Sequence, residues 1–329
     1  MKKESTLKKL TGSREFLLAA ILVIAFLLIG TQSSSWLSLK NISDIIKNNS
    51  VTMIMSLGML CVLLIGGIDI SIMSTAALSG MSIGLLMKYN IIRNTPLLFL
   101  IAIVIGTACG LLIGVIIAKG NVLPIIATMG FMYIYRGATY VLSKNQWASA
   151  DDLGDFKNFA LGSILGINNV IWVAIICYII FFVVLKWTTI GRRVYAVGSN
   201  PSAAEVSGIN VDRVKIGVYT VMGFLAGLGG ALTVSLYGSG QPNMLDGGEM
   251  DVIAACVIGG ISMNGGRGSV AGALLGASIL GVIAKALPMV GIDSIAQNAI
   301  KGALILAFII INVVSQRIVD KNNLKGREM

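Results

Sequence analysis

About ten long apolar runs between residues 16 and 316 constrain this chain more than any other feature of it. A bilayer core about 30 Å thick takes roughly 20 apolar residues per helix, and runs near that length, repeated along a chain, belong in lipid. They lie near 16–32, 49–67, 71–87, 97–118, 122–142, 168–186, 216–237, 250–263, 269–288 and 294–316. Each is continuously rich in Leu, Ile, Val, Ala and Gly, without the alternation that strands of a transmembrane β-barrel need. The expected fold class is therefore all-α, a polytopic membrane protein of about ten transmembrane helices. A mean hydropathy of +0.87 and a charged fraction of only 12% exclude a soluble domain across these 329 residues.

A net charge of +10 would suggest nucleic acid for a soluble protein, but its distribution follows the positive-inside rule instead. With ten spans and the N-terminus inside, the inner segments hold Lys2, Lys3, Lys8, Lys9, Arg14, Lys119, Lys186, Arg192, Arg193, Arg213, Lys215, Arg267, Arg317, Lys321, Lys325 and Arg327. These are sixteen of the twenty-five Lys and Arg residues. The longest outer loop, about 143–167, carries Asp151, Asp152 and Asp155. Both termini are expected in the cytoplasm of a bacterial-type membrane, with lipid and no nucleic acid as surroundings. Residues 1–15 read as a cytoplasmic N-terminal segment, 16–316 as a single transmembrane domain and 317–329 as a cytoplasmic tail. No small-residue cleavage site follows the basic start, so the first run reads as a retained span. Cys61, Cys109, Cys177 and Cys256 sit in apolar runs without metal-like spacing and read as packing residues.

Glycines recur within the runs as small-xxx-small pairs: Gly80/Gly84, Gly106/Gly110/Gly114, Gly223/Gly227 and Gly272/Gly276. Such pairs let helix backbones approach closely, either as packing seams or as seams that move. Two runs are interrupted, one by Gly66, Gly67 and Asp69 and one by Gly259, Gly260, Gly265, Gly266 and Gly268. Broken helices at membrane depth need protein or water over the freed backbone, so these glycines, with Ser71, are candidates for a pathway or hinge. Asp69 serves either that role or as a cap, with Ser71, at a span end. The run near 250 is too short to cross alone and predicts a kinked or re-entrant element.

The cytoplasmic connection at 187–215 is polar but not composed like a loose linker. Asn200 suits an N-cap, Pro201 the first helical position, Ser202 with Glu205 an alternative capping box, and Gly208 a left-handed C-terminal residue. The pattern predicts a helix of two turns, too short to be stable in water without a packing partner. A docking surface for a cytoplasmic protein and a capped connector lying on the membrane both fit.

The segment resembles the coupling loop of permease subunits of ATP-binding-cassette importers of the monosaccharide type, which includes ribose, xylose, galactose and autoinducer-2 importers. The shared pattern is met by Gly191 and Arg192, by Ala196, Gly198 and Asn200, and by Ala203, Ala204, Ser207, Gly208 and Ile209. The resemblance extends, in the same order, to Gly66–Ser71, Thr128–Gly137, Glu249–Ala255 and Gly259–Ser269, with mild departures at Met250 and at Ile72 and Met73. It implies a second permease subunit, identical or homologous, two cytoplasmic ATPase subunits and an external solute-binding protein. ATP and Mg would bind to the partner ATPases, and no cofactor to this chain. The resemblance leaves the solute among sugars such as ribose, autoinducer-2, nucleosides and, more distantly, branched-chain amino acids.

Glu249 and Asp251 precede an apolar helix, where they either complement its positive N-terminus or dock the external partner. Arg136, about one turn from an outer span end, suits an interhelical or interfacial role. The stretch Gly265–Gly268 lacks the Gly-Lys-Ser/Thr ending and the preceding strand of a phosphate loop. With no His and no paired carboxylates in chemical context, no catalytic site is expected. A secondary transporter, the rival reading, calls for repeat symmetry and buried ion-binding carboxylates, and neither is clear here.

Overall fold

The computed structural model describes residues 14–31, 34–149 and 151–293, with scattered helical positions between 296 and 310. Most of the span expected at 294–316, the tail at 317–329 and all of the N-terminal segment except Arg14 and Glu15 lie outside the described residues. In chain order the helices are α1 (Arg14–Gly30), α2 (Leu39–Leu64), α3 (Ile72–Lys88), α4 (Thr95–Lys119), α5 (Pro124–Ser143) and α6 (Phe156–Leu161). After a hairpin of β1 (Ser163–Ile164) and β2 (Ile167–Asn168) come α7 (Asn169–Trp187), α8 (Thr189–Ser199), α9 (Pro201–Val206), α10 (Val211–Tyr237), α11 (Gly248–Ile258) and α12 (Val270–Met289). Of these, α2, α4, α7, α10 and α12 are long and apolar enough to cross a membrane, and α1 and α3 are shorter apolar helices.

Helix starts are fixed by side-chain caps. Ser38, Asn94, Asn168, Asn210 and Ser269 each accept a hydrogen bond from a backbone N–H of the first turn. Those caps explain where hydropathy misplaced the boundaries. Helix α2 begins ten residues before the run at 49, because Lys40, Asn41, Asp44, Lys47, Asn48 and Asn49 are helical but not apolar. For the same reason α10 begins at Val211 rather than near 216. The expected span at 250–263 is shorter still: α11 has 11 residues, about 16 Å of helix, and the chain beyond it continues as a turn-rich loop to Ser269. The two-turn helix expected near 201–208 is the six-residue α9, and α8 before it was not anticipated.

Helix α10 lies at the centre, packed against α4, α3 and α2. The seam with α4 is built from glycine: a Cβ placed on Gly110 would stand 2.8 Å from the Cα of Gly223. In lipid the apolar effect does not hold helices together, so association relies on close van der Waals contact of this kind. The inner helices α2 and α10 are buried over 72% and 67% of their apolar stretch, whereas α4 and α7, the most apolar, are buried over 33%. Their outward faces are suited to lipid.

The bundle has two distinct ends. At one, Lys119 pairs with Asp212 at 2.8 Å, the Ser269 hydroxyl donates to Glu15 at 3.1 Å, and the Tyr195 hydroxyl donates to the Gly268 carbonyl at 2.8 Å. At the other, Lys88 donates to the Trp147 carbonyl at 2.8 Å and Ala148 forms a backbone bridge with Gly240.

Candidate coupling site

The connection between α7 and α10 is two short helices with a defined interior. Thr188 caps α8, its hydroxyl accepting from the Gly191 N–H at 3.3 Å. Gly191 is buried against the end of α7, where an added Cβ would lie 2.6 Å from the Leu185 Cα, and this lets α8 fold back on α7. Val194 and Val197 continue the buried face, while Arg192 and Arg193 point outward.

Asn200 then adopts an extended conformation (φ −162°, ψ 100°) and accepts from the Ala203 N–H at 3.0 Å, so that it caps α9 with Pro201 at the first helical position. The alternative box with Glu205 is not needed. Pro201, Ala203, Glu205, Ser207 and Gly208 are exposed, Ile209 is half-buried, and Ala204, buried, faces the bundle. The chain leaves α9 through Gly208 at φ +81°, a left-handed turn closed by the Ile209 N–H to the Ala204 carbonyl at 3.0 Å. Val206, missed in the sequence reading, is 90% exposed at the tip. An apolar residue on the outer face of a short polar helix was the available signal.

The C-terminal end of α8 rests directly on backbone. A Cβ on Gly198 would overlap the Leu64 carbonyl oxygen at the end of α2 and come within 2.8 Å of the Gly266 nitrogen. The Gly266 N–H donates to that same Leu64 carbonyl at 2.9 Å. A Cβ on Gly265 would stand 2.7 Å from the Gly198 carbonyl oxygen and 3.0 Å from the Gly66 nitrogen. Gly265 and Gly266, at φ +84° and +70°, turn the loop into this position. Three segments far apart in the chain, 64–66, 198–199 and 265–266, thus meet largely through backbone, with the Ser199 hydroxyl against Gly266. Closely packed backbone of this kind cannot absorb a displacement by rotamer change.

The other flagged residues are arranged around this junction or away from it. An added Cβ on Gly67 would lie 2.5 Å from the Tyr219 hydroxyl, which itself donates to the Ile68 carbonyl at 3.2 Å. Asp69, 2% exposed, accepts from the Ser71 N–H at 2.8 Å and from its hydroxyl at 2.6 Å, holding the turn into α3. Gly259 packs on Gly272 of α12, Gly260 turns the chain at φ +85°, and Gly268 lies over Ile261.

Glu249 and Asp251 sit at the opposite end, in the first turn of α11. Arg136 is drawn inward and donates to the Pro242 and Met244 carbonyls at 3.0 and 2.9 Å, with Asp246 at 3.7 Å. It ties α5 to the loop before α11. Among the described residues no His, Cys, Asp and Glu group is placed to hold a metal.

Comparison with known proteins agrees with this architecture. Residues 41–312 match the family model described as the permease component of branched-chain amino acid transport systems. The ribose import permease protein RbsC of Escherichia coli K12 is 35% identical over 299 residues, which is 90% of this chain and 92% of that protein. RbsC of Bacillus subtilis 168 is 34% identical, over 88% of this chain and 90% of its own length. The L-arabinose transport system permease protein AraH of Escherichia coli K12 is 32% identical, over 91% and 89%. No solved structure matches. The chain belongs to this family of polytopic membrane permeases and is a permease component of an ATP-binding-cassette importer.

Proposed function

We propose that this subunit carries a monosaccharide, ribose in the first instance, into the cell, and that α8 and α9 receive the force of ATP hydrolysis from partner ATPases. The observation that carries the reading is the backbone junction of Gly198 with Leu64 and Gly266, which couples an exposed pair of short helices to the end of a membrane helix. The exposed rim of that pair, with Val206 at its tip and Arg192 and Arg193 beside it, offers the mixed apolar and charged contact that a cytoplasmic partner needs.

Lys119, Lys186, Arg192, Arg193, Arg213, Lys215 and Arg267 gather at the junction end, which supports a cytoplasmic location for that end and for both termini. The relatives named for ribose import support the sugar, with L-arabinose as the second choice. In this assembly a second permease subunit completes the pathway, two ATPases bind ATP and Mg, and an external protein delivers the solute. This chain itself neither catalyses a reaction nor holds a cofactor.

The test is uptake of radiolabelled D-ribose and L-arabinose into proteoliposomes, with the ATPase, the binding protein and internal ATP each added or withheld. Ribose uptake that requires all three is expected. Uptake by this chain alone, driven by an ion gradient, would refute the reading.

A further inference from the structure

We infer that a polar cavity between α2, α11 and α12, at the end of the bundle opposite the junction, is a station on the solute pathway that holds a neutral polyhydroxylated molecule. The inference rests on the importer reading above and goes beyond it by naming the residues that meet the solute.

The cavity has a volume of about 320 Å³, at the lower end of the range of small-molecule sites. Its polar wall is Asn48, Asn49 and Thr52 of α2, Asp251 of α11 and Lys285 of α12, and Ile45 and Leu280 form an apolar side. Thr52 follows the polar first ten residues of α2, so the cavity opens at the outer boundary of that span and reaches about one turn into it.

The donor and acceptor set suits hydroxyl groups. Each sugar hydroxyl both donates and accepts; the asparagine amides and the threonine hydroxyl do the same, Asp251 accepts and Lys285 donates. Asp251 and Lys285 cancel in charge, which favours a neutral solute over an ion. One wall is preformed: the Asn49 amide donates to the Ala277 carbonyl at 2.7 Å, and it lies over Gly281, where a Cβ would stand 2.5 Å from its nitrogen. Gly281 thereby leaves room for the Asn49 side chain against α12. Asp251, considered above for docking an external partner, is assigned to the pathway instead.

The experiment uses the whole importer reconstituted with its ATPase and binding protein, and D-ribose as the probe. Replacing Asn48 and Thr52 together by Leu removes hydrogen bonds to the solute, and a fall in uptake of about tenfold is expected while ATP hydrolysis stimulated by the loaded binding protein persists. A Thr52→Cys variant covers the case in which the double variant does not fold. It should transport, react with a membrane-impermeant thiol reagent before reconstitution, and lose uptake once labelled, whereas the equally treated parent does not. Unchanged uptake in the double variant, an introduced thiol that the reagent cannot reach in Thr52→Cys, or full transport after labelling would each overturn the cavity's role and leave the importer reading standing. Failure of the unmodified complex to take up ribose with ATP present would overturn the importer reading and the inference with it.

Discussion

Glycine brings backbones together in two regions of this molecule, and the two contacts differ in kind. In the seam between α4 and α10, Gly106 and Gly110 face Gly223 and Gly227 along two long helices, and the contact repeats with the helical period. In the junction, Gly198, Gly265 and Gly266 join a helix end, a second helix end and a loop, and the contact occurs once. A periodic seam distributes load over several turns and resists sliding. A single-point contact transmits a displacement but does little to hold the bundle together. The first should therefore govern whether the protein folds, and the second whether motion at one end reaches the membrane helices.

The seam is where the comparison breaks first. Gly110→Leu would force side-chain atoms into the Gly223 backbone, 2.8 Å from the would-be Cβ, and neither helix can yield without losing contacts above and below. A loss of more than about 3 kcal/mol is expected, at the upper end of overpacking costs, read as aggregation on size-exclusion chromatography and a lowered melting temperature in detergent. Normal folding of this variant would show that the seam is loose, and the contrast would collapse.

Gly198→Val tests the junction. Its Cβ would overlap the Leu64 carbonyl oxygen, so α8 must lift from the end of α2. The bundle should stay folded, because the α4–α10 seam is remote, while uptake falls at least about tenfold and ATP hydrolysis continues. Uptake and hydrolysis measured on one preparation give the answer. If hydrolysis and transport remain in their original ratio, the junction does not carry the motion.

Gly208→Ala is expected to have a smaller effect. Nothing lies within 4 Å of an added Cβ there, so the cost comes from the positive φ alone, about 1 kcal/mol. The turn out of α9 should relax locally, with a modest loss of uptake and almost no change in melting temperature.

Much of the fold was legible because lipid imposes a simple rule on apolar length. Nine of the ten expected spans have a helix among the described residues. What hydropathy could not read was polar helix: the first ten residues of α2, which carry Lys40, Asp44 and Lys47, and α8, whose buried face is only Gly191, Val194 and Val197. Those boundaries are set by caps, and Ser38 and Thr188, the residues that make them, leave no trace in an apolar count.

The site was legible in pieces. Gly66, Gly198, Gly265 and Gly266 stand out in separate segments for separate reasons, but no local pattern states that they touch, since their meeting depends on α11 ending after 11 residues. The polar cavity was invisible for a related reason. Asn48, Asn49 and Thr52 look like a ragged span boundary until α12 places Lys285 and Gly281 opposite them.

The smallest expected effect is the most discriminating control. Gly137 lies in the stretch Thr128–Gly137, on an exposed part of α5, and an added Cβ there would meet nothing within 4 Å at ordinary helical geometry. If glycine matters here only where backbones meet, Gly137→Ala should cost no stability, since a helix-interior glycine is about 0.5–1 kcal/mol less favourable than alanine, and leave uptake unaltered. Melting temperature and ribose uptake, measured beside Gly110→Leu and Gly198→Val, place all three on one scale. A loss for Gly137→Ala that appears in the assembled importer but not in the isolated subunit would mean that another subunit packs on this face of α5. That would add an intersubunit contact to the two kinds already distinguished. A loss in the isolated subunit as well would mean that close approach is not what selects glycine in this chain, and the distinction between seam and junction would have to be redrawn.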